Sequence, residues 1–227
     1  MSRLFITGTG TDVGKTLVMT ALCWQLRQQG KKITAIKPVV SGFDPQDPGS
    51  DAALILRSCG LAATPALMQA IAPWQFHAPL APSMAAAREG KTIVLEDVAK
   101  FCTEHTGLKS DVVLAEGAGG VMSPLNDRHT MLDWMEALAW PVALVAGSYL
   151  GAISHALTAV EALRARKLAV RALILSASDK NSVPLEDTAE ALKKLIPSDI
   201  PVITLPRVQQ KEELWKHLPP IGWILHE

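Results

Sequence analysis

Near the amino terminus, Gly8-Thr9-Gly10-Thr11-Asp12-Val13-Gly14-Lys15-Thr16 follows a short apolar run and leads straight into an amphipathic pattern. Strand, glycine loop and helix in that order are the context a phosphate-binding loop requires. Glycines let the backbone curl until its amides, with the positive end of the helix dipole, surround phosphate oxygens. Lys15 is placed to reach the outer phosphates of a nucleotide, and Thr16 to offer a hydroxyl to magnesium. Five residues separate Gly8 from Gly14, where the general pattern has four.

Other polar residues stand at the ends of apolar runs. Val112-Val113-Leu114-Ala115-Glu116 ends in one carboxylate followed by Gly117-Ala118-Gly119-Gly120, a Walker B position able to hold Mg²⁺ directly or through water. Asp51 opens a helix after a Pro/Gly-rich stretch, which suits a helix cap and a magnesium donor equally. Lys37 closes Ala35-Ile36-Lys37-Pro38, where an ammonium ending a buried run needs an anionic partner, and Ser41 lies just beyond it. The turn Gly147-Ser148-Tyr149-Leu150-Gly151 opens another helix whose free amides suit either a carboxylate or nothing at all. His77, His105, His129, His217 and His226 show no metal-ligand spacing. Ser178-Asp179-Lys180-Asn181 is in the wrong order to read guanine.

The elements that must position these groups follow from periodicity. Val- and Ile-rich runs at 4–7, 33–37, 112–115, 142–146, 170–175 and 202–205 alternate with helical patterns at 15–29, 51–58, 96–104, 152–166 and 185–196. That alternation predicts an α/β fold, a doubly wound, mostly parallel sheet of P-loop type with helices on both faces. Ligands of such a sheet bind beyond the carboxyl ends of its strands, where the polar residues above all fall. Residues 1–227, 48% of them hydrophobic, suit one domain, and no linker or repeat divides them.

Composition excludes several classes. Lys and Arg number 22 and Asp and Glu 22, so no basic face draws the chain to nucleic acid or anionic lipid. The three cysteines show no CxxC pair and point to a reducing cytoplasm. An immediate strand at the amino terminus leaves no room for an export signal. Residues 137–160 lack Asp, Glu, Lys and Arg, but Pro141, Gly147 and Gly151 break them into a strand, a turn and a helix rather than a membrane span.

Together the phosphate loop with its five-residue gap, Ala35-Ile36-Lys37-Pro38-Val39-Val40-Ser41-Gly42, Glu116-Gly117-Ala118-Gly119-Gly120 and Leu150-Gly151-Ala152-Ile153-Ser154-His155-Ala156 resemble the dethiobiotin synthetases over nearly the whole chain. The resemblance implies a cytoplasmic homodimeric ligase that joins 7,8-diaminononanoate, CO₂ and ATP, with Mg²⁺, into a cyclic urea. It implies Lys37, Lys15 and Thr11 as catalytic residues and Thr16, Asp51 and Glu116 as magnesium ligands. It implies nucleotide contacts at Asp12, Val13, Gly14, Lys15, Thr16, Leu17, Asp51, Glu116, Gly117, Ala118 and Gly119. Ser41 and Lys37, with Gly151, Ala152 and Ile153 of a partner subunit, would take the diamine.

The family often reads adenine with an Asn-Asp pair after its fifth strand, whereas this strand ends Leu175-Ser176-Ala177-Ser178-Asp179. Ser176 then offers its hydroxyl in place of the amide, with Pro206, Arg207 and Val208 as the other wall. The only tyrosine is Tyr149, so a family substrate contact through a tyrosine near the carboxyl terminus has no counterpart. Among other functions, a partitioning ATPase usually carries an extra lysine early in the loop, which Gly8, Thr9 and Gly10 do not provide. A cobyrinic-acid amidating ligase needs a glutaminase portion that this length does not hold, and a nucleotide kinase an arginine-rich lid.

Overall fold

A computed structural model describes residues 1–106, 110–178, 183–208 and 213–225. Six parallel strands form the main sheet: β1 (Ser2–Gly8), β2 (Ile33–Ile36), β5 (Val112–Glu116), β6 (Val142–Gly147), β7 (Val170–Ser176) and β8 (Val202–Leu205). Their spatial order is β2-β5-β1-β6-β7-β8. β1 is therefore central, and in its pairing with β5 Ile6 stands opposite Glu116.

Both faces of this sheet are apolar, which explains the continuous hydrophobic runs in place of simple alternation. Leu4 and Ile6, with Leu114, Val145 and Ile174, pack beneath α1 (Lys15–Gln28), α2 (Asp51–Ser58) and the carboxyl-terminal segment. Phe5, Val113, Leu144 and Leu173 face the other layer, α5 (Leu95–Thr106), α6 (Met131–Leu138), α7 (Ala152–Ala165) and α8 (Leu185–Leu195). In that layer Trp134 is fully buried edge-on to Phe5, ring centroids 4.9 Å apart.

The expected strands and helices all form, with ends moved by one or two residues. Lys37 lies just outside β2, because its amide donates to the Ile71 carbonyl (3.1 Å) instead of the sheet. Elements the periodicity does not announce are a separate parallel pair, β3 (Val39–Ser41) and β4 (Trp74–Phe76), with α3 (Pro65–Ile71) and α4 (Pro82–Arg88) beside it, and α6. Three-residue strands are too short to carry a period. Proline opens both α3 and α4 at the first helical turn. Two 3-10 turns, Leu214–His217 and Gly222–Leu225, lie in the carboxyl-terminal segment.

Candidate active site

The loop that leaves β1 reaches α1 through two left-handed residues, Asp12 (φ 57°) and Gly14 (φ 98°), the latter at the helix N-cap. Gly14 is needed twice over, for its backbone angle and for space: a Cβ there would stand 2.8 Å from the Ser176 hydroxyl oxygen. The loop after β5 lies against it. A Cβ on Gly120 would stand 2.9 Å from the Thr9 carbonyl oxygen, and the Val121 amide donates to the Gly8 carbonyl at 2.9 Å.

Four charged or hydroxyl side chains from four segments meet beneath this loop. Lys37 Nζ donates to Glu116 Oε1 (2.8 Å) and to Asp51 Oδ2, and lies 3.4 Å from Thr16 Oγ1. Thr16 in turn donates to Glu116 Oε1 at 2.7 Å. Glu116 is 0% exposed and Lys37 6%, so this is a buried network and not a solvated face. Lys15, equally buried, curls back and donates to the Gly10 carbonyl at 2.6 Å, closing the loop on itself.

The electrostatics follow from that burial. Desolvation brings the Lys15 ammonium down to about 8, with Glu116 opposing the shift and Lys37 adding to it. Burial also works against the Lys37 charge, but the Glu116 and Asp51 carboxylates outweigh it and hold its pKa above the ordinary lysine value. Glu116 is pushed up by burial, with Lys37 pulling the other way. Burial would raise Asp51 too, yet the adjacent Lys37 holds it below the usual carboxylate range.

A magnesium ion fits this donor set. Thr16, Asp51 and Glu116 supply hard oxygens on one side of the cleft, and buried Glu116 Oε2 has no hydrogen-bond partner. The Lys37 ammonium already occupies a cation's place among them. Among the described residues no three His, Cys, Asp or Glu side chains cluster, so an ion here needs oxygens from phosphate or water as well.

The residues line a cleft of about 850 Å³. Thr11, Asp12, Gly14, Lys15, Thr16 and Leu17 line it, together with Lys37, Ser41 and Asp51 and with Glu116, Ala118 and Gly119. Val13 and Gly117 do not reach it: Val13 is buried in the core, and a Cβ on Gly117 would meet the Phe5 ring at 2.9 Å. Ser176 packs on Gly14 instead of facing the cleft openly, and Pro206, Arg207 and Val208 follow β8 at the same edge of the sheet. Gly151, Ala152 and Ile153 start α7 after β6, outside this cleft in the same chain, with Gly151 left-handed at the N-cap (φ 96°). Asp179 lies outside the described residues.

Pro79, Leu80, Ala81, Pro82 and Ser123, which the sequence does not announce, also line the cleft. Ser123 accepts a hydrogen bond from the Gly120 amide at 2.7 Å and so shapes the glycine turn. The Pro79-Leu80-Ala81-Pro82 string was the available signal, a bend running into a helix with proline at its first position.

Parallel strands around a glycine loop, with a lysine and threonine opening the first helix and a carboxylate ending the neighbouring strand, define a P-loop nucleotide-binding protein. In agreement, the model of a family described as an AAA domain matches residues 2–214. The signal recognition particle receptor FtsY from Elizabethkingia anophelis shares the fold with a TM-score of 0.51 at 16% identity; the match covers 94% of this chain but only 61% of that longer one. The ATP-dependent dethiobiotin synthetase BioD of a Caulobacter species is 48% identical over 209 residues, 91% of this chain and 89% of that protein. The protein of the same name from Methylobacterium nodulans is 46% identical over 200 residues, 86% of this chain and 89% of its own. The chain belongs to the ATP-dependent dethiobiotin synthetase family, a family of ligases.

Proposed function

We propose that this chain, acting as one P-loop domain in a cytoplasmic homodimer, closes 7,8-diaminononanoate and CO₂ into the cyclic urea of dethiobiotin at the expense of Mg-ATP. The observation that carries this reading is Lys37, a second buried lysine facing the same cleft as Lys15. Binding and hydrolysing a nucleotide triphosphate needs the phosphate-loop lysine alone. Handling an amine and its carbamate gives a second one work to do.

An alkyl amine with a pKa of about 10.4 is protonated at neutral pH and cannot attack CO₂. Like charges at Lys15 and Lys37 favour its neutral form, and once the carbamate anion exists they stabilise it. The carbamate oxygen attacks the γ-phosphorus and ADP leaves. The second amine then attacks the carbamoyl carbon of the mixed anhydride, phosphate departs and the ring closes. Thr11 and Lys15 would assist transfer of the γ-phosphoryl group, and Ser41 and Lys37, which line the same cleft, would take the diamine head.

Thr16, Asp51 and Glu116 would hold magnesium, which would neutralise negative charge developing on the phosphates. Ser176 and the residues 206–208 would border the nucleoside. The amides of Gly151, Ala152 and Ile153 suit the distant carboxylate of the diamine, supplied by the partner subunit because they lie outside this chain's own cleft. Three free thiols, Cys23, Cys59 and Cys102, suit a reducing cytoplasm. Among the described residues no helix is long and apolar enough to cross a membrane.

Carbon-13 bicarbonate tests the reading. Label retained as the urea carbonyl of a product that also requires ATP and the diamine is the expected result. Label that never leaves bicarbonate while ATP is consumed would overturn it.

A further inference from the structure

A second cavity, of about 490 Å³, opens at the amino-terminal ends of β7 and β8, the end of the sheet away from the phosphate loop. Three separate stretches of chain build it: the end of α7 with the turn into β7, the residues just before β8, and the 3-10 turn Gly222–Leu225. Its base is apolar, made by the buried residues Leu168, Ile200 and Ile224. Trp223 also lines it and is 48% exposed, an indole that the core does not use.

The polar lining is cationic. Arg164, Lys167 and Arg171 stand in it with one acid, Asp199, so three positive charges face one negative. Arg164 Nη1 lies 4.0 Å from Asp199 Oδ1, an exposed pair of little strength. The neighbouring Arg166 pairs instead with Asp133 (3.3 Å) and Glu136. Among the described residues no carboxylate pairs with Lys167 or Arg171.

The turn out of α7 puts these groups together. Lys167 has a left-handed backbone (φ 56°) just past the helix, where glycine is usual. Its amide donates to the Arg164 carbonyl (2.8 Å) and the Leu168 amide to the Leu163 carbonyl (3.1 Å), so one turn brings both Lys167 and Leu168 to the cavity. Cations at a helix end complement its dipole, which accounts for Arg164. Arg171 belongs to β7 and has no such reason to be there.

We infer that this cavity is a binding site for a small aromatic phosphate monoester, its ring on the Trp223 indole over the apolar base and its phosphate among the three cations. An apolar hollow of this size with a few polar groups is the usual form of a small-molecule site. Three cations less one acid leave two positive charges, the complement of a phosphate dianion, and guanidinium forks match its oxygens. With 14 residues, α7 is about 21 Å long, so the cavity is remote from Gly151 at the other end of the helix. The inference does not depend on the reaction proposed for the cleft.

Calorimetric titration of the full chain with naphthyl phosphate tests it, with Lys15→Met titrated beside the parent because the phosphate loop offers the probe a second place. Expected is binding that persists in Lys15→Met and that Arg171→Gln and Trp223→Ala each weaken by about tenfold or more. Lys167→Gln, at an exposed position that the fold does not need, should weaken it in the same direction, and thermal melts check that every variant is folded. Naphthol, which lacks the charge, and inorganic phosphate, which lacks the ring, should each bind about tenfold or more weakly than naphthyl phosphate, whose own binding should fall as salt is added. Binding abolished by Lys15→Met would place the probe in the phosphate loop and overturn the inference. So would binding indifferent to Arg171→Gln and Trp223→Ala, naphthol binding as well as its phosphate, or no binding at millimolar probe.

Discussion

Lys37 Nζ and Glu116 Oε1 stand 2.8 Å apart, one just past the second strand and the other ending the strand beside it, with Glu116 shut away from solvent entirely. A charge pair at that depth holds because each member neutralises the other, and removing one leaves an uncompensated buried charge.

Lys37→Met should therefore lower folding stability by about 3 kcal/mol, and adding Glu116→Gln should restore a good part of it. Urea denaturation of the three proteins reads this directly. The same Lys37→Met change should reduce turnover at saturating substrates by about a hundredfold or more, the scale on which one positioned charge-stabilising group acts. Equal stability losses in the single and double variants would mean the pair does not compensate as described.

Lys15 gives the pH dependence. Its folded pKa of about 8 lies below the ordinary lysine value of 10.5, so between those limits the unfolded chain binds more protons and stability rises with pH. Melting temperatures from pH 8 to pH 10 should climb in the parent protein relative to Lys15→Met. Phosphate favours the charged lysine, so Mg-ADP binding above pH 8 should take up protons, measurable by calorimetry in buffers of different ionisation heat.

Gly14→Ala should abolish nucleotide binding for two separable reasons. The left-handed backbone angle costs about 1–2 kcal/mol with any other side chain, and the new methyl collides with the Ser176 hydroxyl. Adding Ser176→Ala relieves only the collision, so the double variant should regain part of the stability, seen in thermal melts, and remain weaker than the parent.

Thr16→Ala and Glu116→Gln should each weaken magnesium in the presence of ADP, by about tenfold or more, and leave metal-free ADP binding much less affected. Titrating Mg²⁺ at fixed ADP distinguishes this from a general loss of the nucleotide site.

Much of this arrangement was legible in the chain. The loop from Gly8 to Thr16 was readable because its chemistry is local, a few glycines, a lysine and a threonine between a strand and a helix. Glu116 and Lys37 were readable because each breaks an apolar run at its end. Their partnership was not, since it depends on β2 lying next to β5, and spatial neighbours of strands are set by crossover packing rather than by sequence spacing. Asp51 could be a cap or a ligand until α2 was seen to aim it at Lys37. Residues 79–82 stayed hidden because the strands of three residues and the helix of seven around them give no measurable period.

If the cleft carries the proposed reaction, ATP cleavage in it waits for the diamine. ADP release measured with Mg-ATP and bicarbonate, with and without 7,8-diaminononanoate, tests it most directly when the product is followed by mass. ADP formation that depends on the diamine and matches a cyclic urea mole for mole is expected. ADP formed at the same rate without the diamine, with no urea, would contradict it.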